Sequence, residues 1–177
     1  IPGGKSNIDL LIKGFATAMK GDTTLLTNDL AQSYFRDYLT KVQNKLNEQV
    51  KADGEKFMAE NLKKEGIQVT PSGLQYIVLK SADGAKPLAT DKVKVHYTGT
   101  LMDGKVFDSS VERGEPVEFA LNQVIPGWSE GVQLMPVGSK FKFFIPSNLG
   151  YGEQGVPQAG IPPFSPLTFE VELLDII

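Results

Sequence analysis

The chain has 177 residues, enough for one large domain or two small ones. Its 41% hydrophobic and 22% charged residues are the proportions of an ordinary soluble globular protein. A net charge of −3, with no basic patch to neutralise phosphates, argues against nucleic acid as a partner, and the lack of cysteine excludes disulfides, thiolate nucleophiles and cysteine metal sites.

No run of about 18 apolar residues is present, so no membrane-spanning helix is expected. No signal peptide is evident, and the opening Ile1-Pro2-Gly3-Gly4 reads as a trimmed end rather than a natural start. A first helix is signalled by Ser6 with Asp9 three residues on, a capping-box-like start. Ile8, Leu11, Ile12, Phe15 and Met19 follow at helical spacing, and Gly21 stops the run. A second helix starts at Thr27 or Asn28 and meets no proline before Lys64; about 36 residues would make it roughly 54 Å long. Ala31, Phe35, Tyr38, Val42 and Leu46 form an apolar stripe in its first half. That stripe needs a partner, either the first helix or a second copy of the chain. The second half is more polar and reads as an exposed spacer, with Gly54 a bending point or a neutral position.

Proline and glycine usage divides the chain. Apart from Pro2, every proline lies at Pro71 or beyond, and 12 of the 18 glycines follow Gly66. The expected organisation is a helical module at 1–66 and a second domain at 67–177. In the second, Val93, Val95 and Tyr97 alternate with Lys92, Lys94, His96 and Thr98, and similar alternation recurs at Phe141–Ile145 and Leu167–Leu173. Asp103-Gly104 reads as a hairpin turn. Trp128–Leu134, opened by Pro126-Gly127, reads as a short helix. The fold class is therefore α+β: a helical module followed by an antiparallel sheet packed on one short helix.

Several chemistries lack their residues. His96, the one histidine, falls on the solvent phase of its strand with the lysines, which leaves a serine–histidine–aspartate triad or a histidine zinc site without footing. Gly150-Tyr151-Gly152-Glu153-Gln154-Gly155 has the letters of a dinucleotide loop but not the strand-then-helix context. What remains is aromatic: 11 of 16 aromatic residues lie in the C-terminal part, several beside turns (Tyr97, Phe107, Trp128, Tyr151). Their positions suit either a core or the lining of an apolar cleft.

Five ordered segments resemble the FKBP-type peptidyl-prolyl isomerases. They are Val95-His96-Tyr97-Thr98-Gly99, Gly104 through Phe107-Asp108-Ser109-Ser110, Val124-Ile125-Pro126-Gly127-Trp128-Ser129-Glu130-Gly131, Tyr151-Gly152 with Ile161-Pro162-Pro163, and Phe169-Glu170-Val171-Glu172-Leu173-Leu174. The helical module followed by Thr70-Pro71-Ser72-Gly73-Leu74-Gln75-Tyr76 is similar to the Mip-like bacterial branch. The resemblance implies an isomerase of prolyl bonds that needs no cofactor, with Trp128 as the floor against which a proline ring packs. It implies Tyr97, Phe107, Phe119, Val124, Ile125 and Phe169 as walls, with Ile161 also in the substrate site. Tyr151 would bind one substrate carbonyl and the Ile125 N–H another. Asp108 would be the polar group near the substrate amide, or a structural partner of Tyr97. Expected partners are proline-containing and unfolded polypeptides, macrolide inhibitors and a second copy of the chain. The expected location is the periplasm or outer membrane, with the cytoplasm as the alternative. Val117 stands where many family members carry another wall aromatic, the Phe119–Val124 connection is short and the Tyr151–Ile161 loop slightly long. Phe164 and Pro166 replace residues that are usually polar.

Overall fold

The computed structural model describes residues 12–14, 16–17, 20–21 and 28–177. The chain divides into two compact units, Ile1–Leu46 and Asn47–Ile177. In the first, residues 12–14 and 16–17 are helical, and Gly21 lies in a turn at φ 75°, where the first helical run was expected to stop. The expected start at Ser6 and Asp9, and the positions Ile8, Leu11, Phe15 and Met19, lie outside the described residues, as does Thr27.

Helix α1 spans Asn28–Asn61, 34 residues. Of its expected stripe, Phe35, Tyr38, Val42 and Leu46 are all exposed, and Tyr34 and Leu39 are exposed with them. The chain leaves the helix through a turn that ends at Gly66, whose φ of 81° is a backbone shape side chains disfavour.

From Gly54 onward the expectation of an exposed spacer is corrected. Gly54 and Asn61 are buried, and Phe57 and Met58 are half-buried. The Phe57 ring lies 6.2 Å from that of Phe144. Asn61 Nδ2 donates to Gln75 Oε1 at 2.9 Å, and Gln75 Nε2 donates to the Met58 carbonyl at 2.9 Å. A Cβ at Gly54 would sit 2.9 Å from Pro166 Cδ. Glycine suits this position because any Cβ would require Pro166 to shift. Polar periodicity failed to reveal this contact because much of it is made by a glycine and two buried amides.

The second unit holds a seven-stranded antiparallel sheet among the described residues: β1 Gln68–Val69, β2 Gln75–Lys80, β3 Lys92–Thr100, β4 Val106–Ser109, β5 Val117–Ala120, β6 Lys140–Ile145 and β7 Leu167–Ile176. The strand order is β1-β2-β6-β7-β3-β4, with β5 pairing the first half of β3. A four-residue helix α2, Ser110–Arg113, follows β4, and α3 spans Pro126–Val132. Helix α3 begins two residues before the expected Trp128, since proline costs nothing in a first helical turn, where its missing N–H has no partner to lose.

Alternation decides the core. Val93, Val95 and Tyr97 of β3, Phe141, Phe143 and Ile145 of β6, and Leu167, Phe169, Val171 and Leu173 of β7 are buried on one face, together with Trp128 and Val132 of α3. Helix α3 lies close to the sheet because Gly127 and Gly131 face it. A Cβ at Gly127 would meet Ile145 at 2.5 Å, and one at Gly131 would meet Phe143 at 2.7 Å. The opposite face is polar, with Lys92–Glu118 and Lys140–Glu170 pairs at 2.6 Å, exposed enough to add little stability. Phe144 breaks the alternation, being buried on that polar face, and it is the residue Phe57 of α1 meets. His96 is also corrected: it is half-buried, and its Nδ1 lies 3.1 Å from Ser110 Oγ.

Candidate functional site

Four strands, β3, β4, β5 and β7, and α3 bring the aromatic residues together. Trp128 occupies the first turn of α3, and three rings meet its indole. Tyr97 (5.3 Å, 88°) and Phe169 (5.3 Å, 87°) do so edge-on, and Phe119 (5.4 Å, 77°) nearly so. Phe107 packs edge-on against Phe169 at 5.4 Å. Edge-to-face pairing matches a positive ring edge to a negative ring face, which makes the cluster rigid as well as apolar. Tyr97, Trp128 and Phe169 are 4–5% exposed and form the base. Phe107, Phe119, Val124 and Ile125 are half-buried around it, and Tyr151, 38% exposed, lies near enough to Asp108 to feel its charge.

Polar groups around this base are unevenly satisfied. The Ile125 carbonyl accepts from the Trp128 and Ser129 amides at 2.9 and 3.1 Å, as a helix start requires. The Ile125 N–H has no hydrogen-bond partner among the described residues, nor has the Tyr151 hydroxyl. The Trp128 Nε1–H is buried without a partner. An unmet buried donor costs roughly 1–3 kcal/mol, so its retention calls for a reason.

On the other side of Tyr97 the polar groups are fully engaged. Asp108, on β4, accepts from the Tyr97 hydroxyl and from Arg113 Nη1, and Arg113 Nη2 lies 3.1 Å from the Tyr97 oxygen. The guanidinium also sits 5.8 Å from the Tyr97 ring centre. Burial pushes the Asp108 carboxyl up, but hydrogen bonds from Tyr97 and Arg113 outweigh it and hold the group below the usual aspartate range. Burial, followed by the bond to Asp108, raises the Tyr97 phenol. Burial and the nearby Asp108 charge raise Tyr151. Both phenols therefore stay neutral donors at ordinary pH.

Arg113 was not among the expected site residues. Its signal is local. Ser109 caps α2 by accepting from the Glu112 N–H at 3.2 Å, and Gly114 ends the helix at φ 76°. This single turn returns the residue five places after Asp108 to the Asp108 carboxylate. Ser110 fixes β3 beside it, its Oγ accepting from the Tyr97 N–H at 2.8 Å.

Ile161 is 2% exposed and lies in the core. It closes the loop that carries Tyr151 by a two-hydrogen-bond bridge to Val156, at 2.9 and 3.0 Å. Val117 is half-buried and pairs with Val95 on the sheet. An open concavity of about 320 Å³, lined by Val106, Phe107, Asp108, Ser109, Glu112 and Arg113, adjoins the cluster. A second, of about 240 Å³ around Tyr76 and Phe141, contains none of the expected site residues.

Residues 84–174 match the family model described as FKBP-type peptidyl-prolyl cis-trans isomerase, and residues 2–78 match the domain amino terminal to FKBP-type peptidyl-prolyl isomerase. The chain is 53% identical to the FKBP-type peptidyl-prolyl cis-trans isomerase FkpA of Aeromonas hydrophila, over 98% of this chain and 66% of that one. It is 42% identical to the outer membrane protein MIP of Legionella longbeachae, over 96% of this chain and 76% of the other. The crystal structure of FkpA from Escherichia coli superposes with a TM-score of 0.77 at 39% identity, covering 95% of this chain and 81% of that one.

Proposed function

The chain belongs to the FKBP-type peptidyl-prolyl cis-trans isomerase family, and from that premise we propose that its reaction takes place on the Trp128 indole, with the proline ring of a polypeptide packed against it. The observation that carries this reading is the contrast around Trp128: a rigid apolar base beside polar groups that the protein itself leaves without partners. The Ile125 N–H and the Tyr151 hydroxyl would each take a carbonyl flanking the prolyl bond. Phe107, Phe119, Val124 and Phe169 would shape the walls. Ile161 would act from beneath, by holding the Tyr151 loop.

The chemistry asked of such a site is modest. Amide resonance opposes rotation with a barrier of about 18–20 kcal/mol. At prolyl bonds both isomers are populated, so their exchange can limit folding. As the bond twists, resonance is lost, and the carbonyl and nitrogen carry less separated charge. A dry apolar base therefore favours the twisted form over the planar one, the kind of differential binding that accelerates a step. An acceleration near 10⁶ needs about 8 kcal/mol. No nucleophile or general base enters. Asp108 is held ionised by Tyr97 and Arg113. Its role would be to orient the Tyr97 ring and set a negative charge near the substrate amide.

The reading extends to the whole protein. The catalytic unit is taken as 67–177 and the helical module as 1–66. The exposed face of α1 bearing Tyr34, Phe35, Tyr38, Leu39, Val42 and Leu46 supports a second copy of the chain as its partner. The bacterial relatives, one of them named an outer membrane protein, support the cell envelope as the location. Unfolded polypeptides as clients and macrolide inhibitors as ligands follow from the same pocket. A chaperone activity on the helical module would appear as suppression of aggregation that survives Trp128→Ala. The isomerase reading is tested by refolding of a protein limited by one prolyl bond: micromolar enzyme should accelerate the slow phase, Trp128→Ala should not, and no acceleration by the unaltered chain would defeat it.

A further inference from the structure

Phe164 is the only non-glycine residue at positive φ (60°) among the described residues. Such a backbone persists only where its surroundings over-determine it. Here they act from two sides. Toward the site, the Phe164 N–H donates to the Gly152 carbonyl at 2.8 Å. Gly152 immediately follows Tyr151, and its own N–H is bonded to the Ser147 carbonyl at 2.8 Å. Away from the site, α1 lies on the same segment. Lys51 Nζ is 5.9 Å from the Phe164 ring centre. A Cβ at Gly54 would be 2.9 Å from Pro166 Cδ and 3.6 Å from the Phe164 carbonyl. The helix is itself fixed by the Asn61–Gln75 and Gln75–Met58 hydrogen bonds, both 2.9 Å. Phe164 and Pro166 are also the positions where apolar residues stand in place of polar ones, and the contact with the helix accounts for both.

We infer that the Lys51–Gly54 turn of α1 is a positioning element for the Tyr151 loop, acting through Phe164 and Pro166. The inference rests on the reading of Tyr151 as a substrate-binding group. It assigns the helix a part in the isomerase step, because any load that lifts α1 from Pro166 releases the clamp on Gly152. Gly54 is then a positioning residue, and the left-handed turn at Phe164 is the joint between helix and site.

The test uses the full chain and a proline-containing tetrapeptide. Gly54→Leu forces Pro166 away, whereas Gly54→Ala does so least while favouring the helix. Amide hydrogen exchange at Phe164 should quicken in Gly54→Leu by roughly tenfold or more, as expected for a clamp that opens locally. Its kcat/KM should fall roughly threefold or more when Tyr151 is present and by less than about twofold in a Tyr151→Phe background, because groups acting as a unit are non-additive. Unchanged exchange at Phe164, or equal losses in both backgrounds, would overturn the inference. Full activity in Tyr151→Phe alone would instead defeat the substrate-binding reading of Tyr151, and the exchange measurement would still decide whether the helix clamps the loop. Should Gly54→Leu not fold, Phe164→Gly serves in the same cycle, since it keeps the left-handed backbone and its N–H while removing the ring beside Lys51.

Discussion

Phe143 and Trp128 are both large aromatics buried in one hydrophobic core, yet their surroundings differ in kind. Phe143 is 1% exposed, pairs with Tyr76 of β2 and Phe169 of β7 in the middle of the sheet, and packs against Gly131 of α3. Trp128 is 4% exposed, but its indole Nε1–H, the Ile125 N–H and the Tyr151 hydroxyl have no hydrogen-bond partner among the described residues. Burial alone does not separate the two residues. The unmet donors beside the aromatic cluster are what support the proposed ligand role of Trp128.

The contrast can be broken by substitution. Phe143→Ala should show the largest effect, a loss of about 3–5 kcal/mol in unfolding free energy measured by denaturant titration, with the folded fraction keeping its isomerase rate. Trp128→Leu should invert that pattern. It should lower kcat/KM on a proline tetrapeptide by roughly tenfold or more, about 1.4 kcal/mol per factor of ten, with a smaller change in stability. If Phe143→Ala lost specific activity as steeply as Trp128→Leu, the distinction between core and site would fail.

Much of this contrast is legible in the sequence, and some is not. Alternation along β3, β6 and β7 identified the buried face correctly because a strand's period of two survives any tertiary arrangement. The segments around Tyr97, Asp108, Trp128 and Tyr151 carry the family resemblance, and the fold packs Tyr97 against Trp128, bonds it to Asp108 and sets Tyr151 within reach of the Asp108 charge. Arg113 escaped notice because its approach to Asp108 depends on a four-residue helix closed by Gly114, which has no hydrophobic period to read. The docked end of α1 escaped for a related reason: Gly54 and Asn61 look like breaks in an apolar stripe, while in fact one is a point of closest approach and the other a buried hydrogen-bond partner. Phe144 is the residue that could have revealed it, since a second apolar side chain on the polar phase of a strand signals cover on that face.

Smaller effects sharpen the account of the polar side. Asp108 is held below its ordinary value, so its contribution to stability is complete above the usual aspartate range of about 4 and is lost as pH falls through the lowered folded value. Asp108→Asn should therefore flatten the acid limb of the stability–pH curve, with little change at neutral pH beyond the loss of the Arg113 pair, which is partly exposed. Tyr151→Phe should lower kcat/KM by a few-fold, the scale of one hydrogen bond worth about 1 kcal/mol, and leave thermal unfolding unmoved because its hydroxyl bonds to no described residue.

Trp128 is the chain's one tryptophan, so its fluorescence reports the base of the site alone. Titration of the full chain with a proline tetrapeptide should give a saturable change in that emission, at concentrations that match the KM of the isomerase assay. Undiminished turnover with no change in the indole signal would mean that the prolyl ring is bound elsewhere.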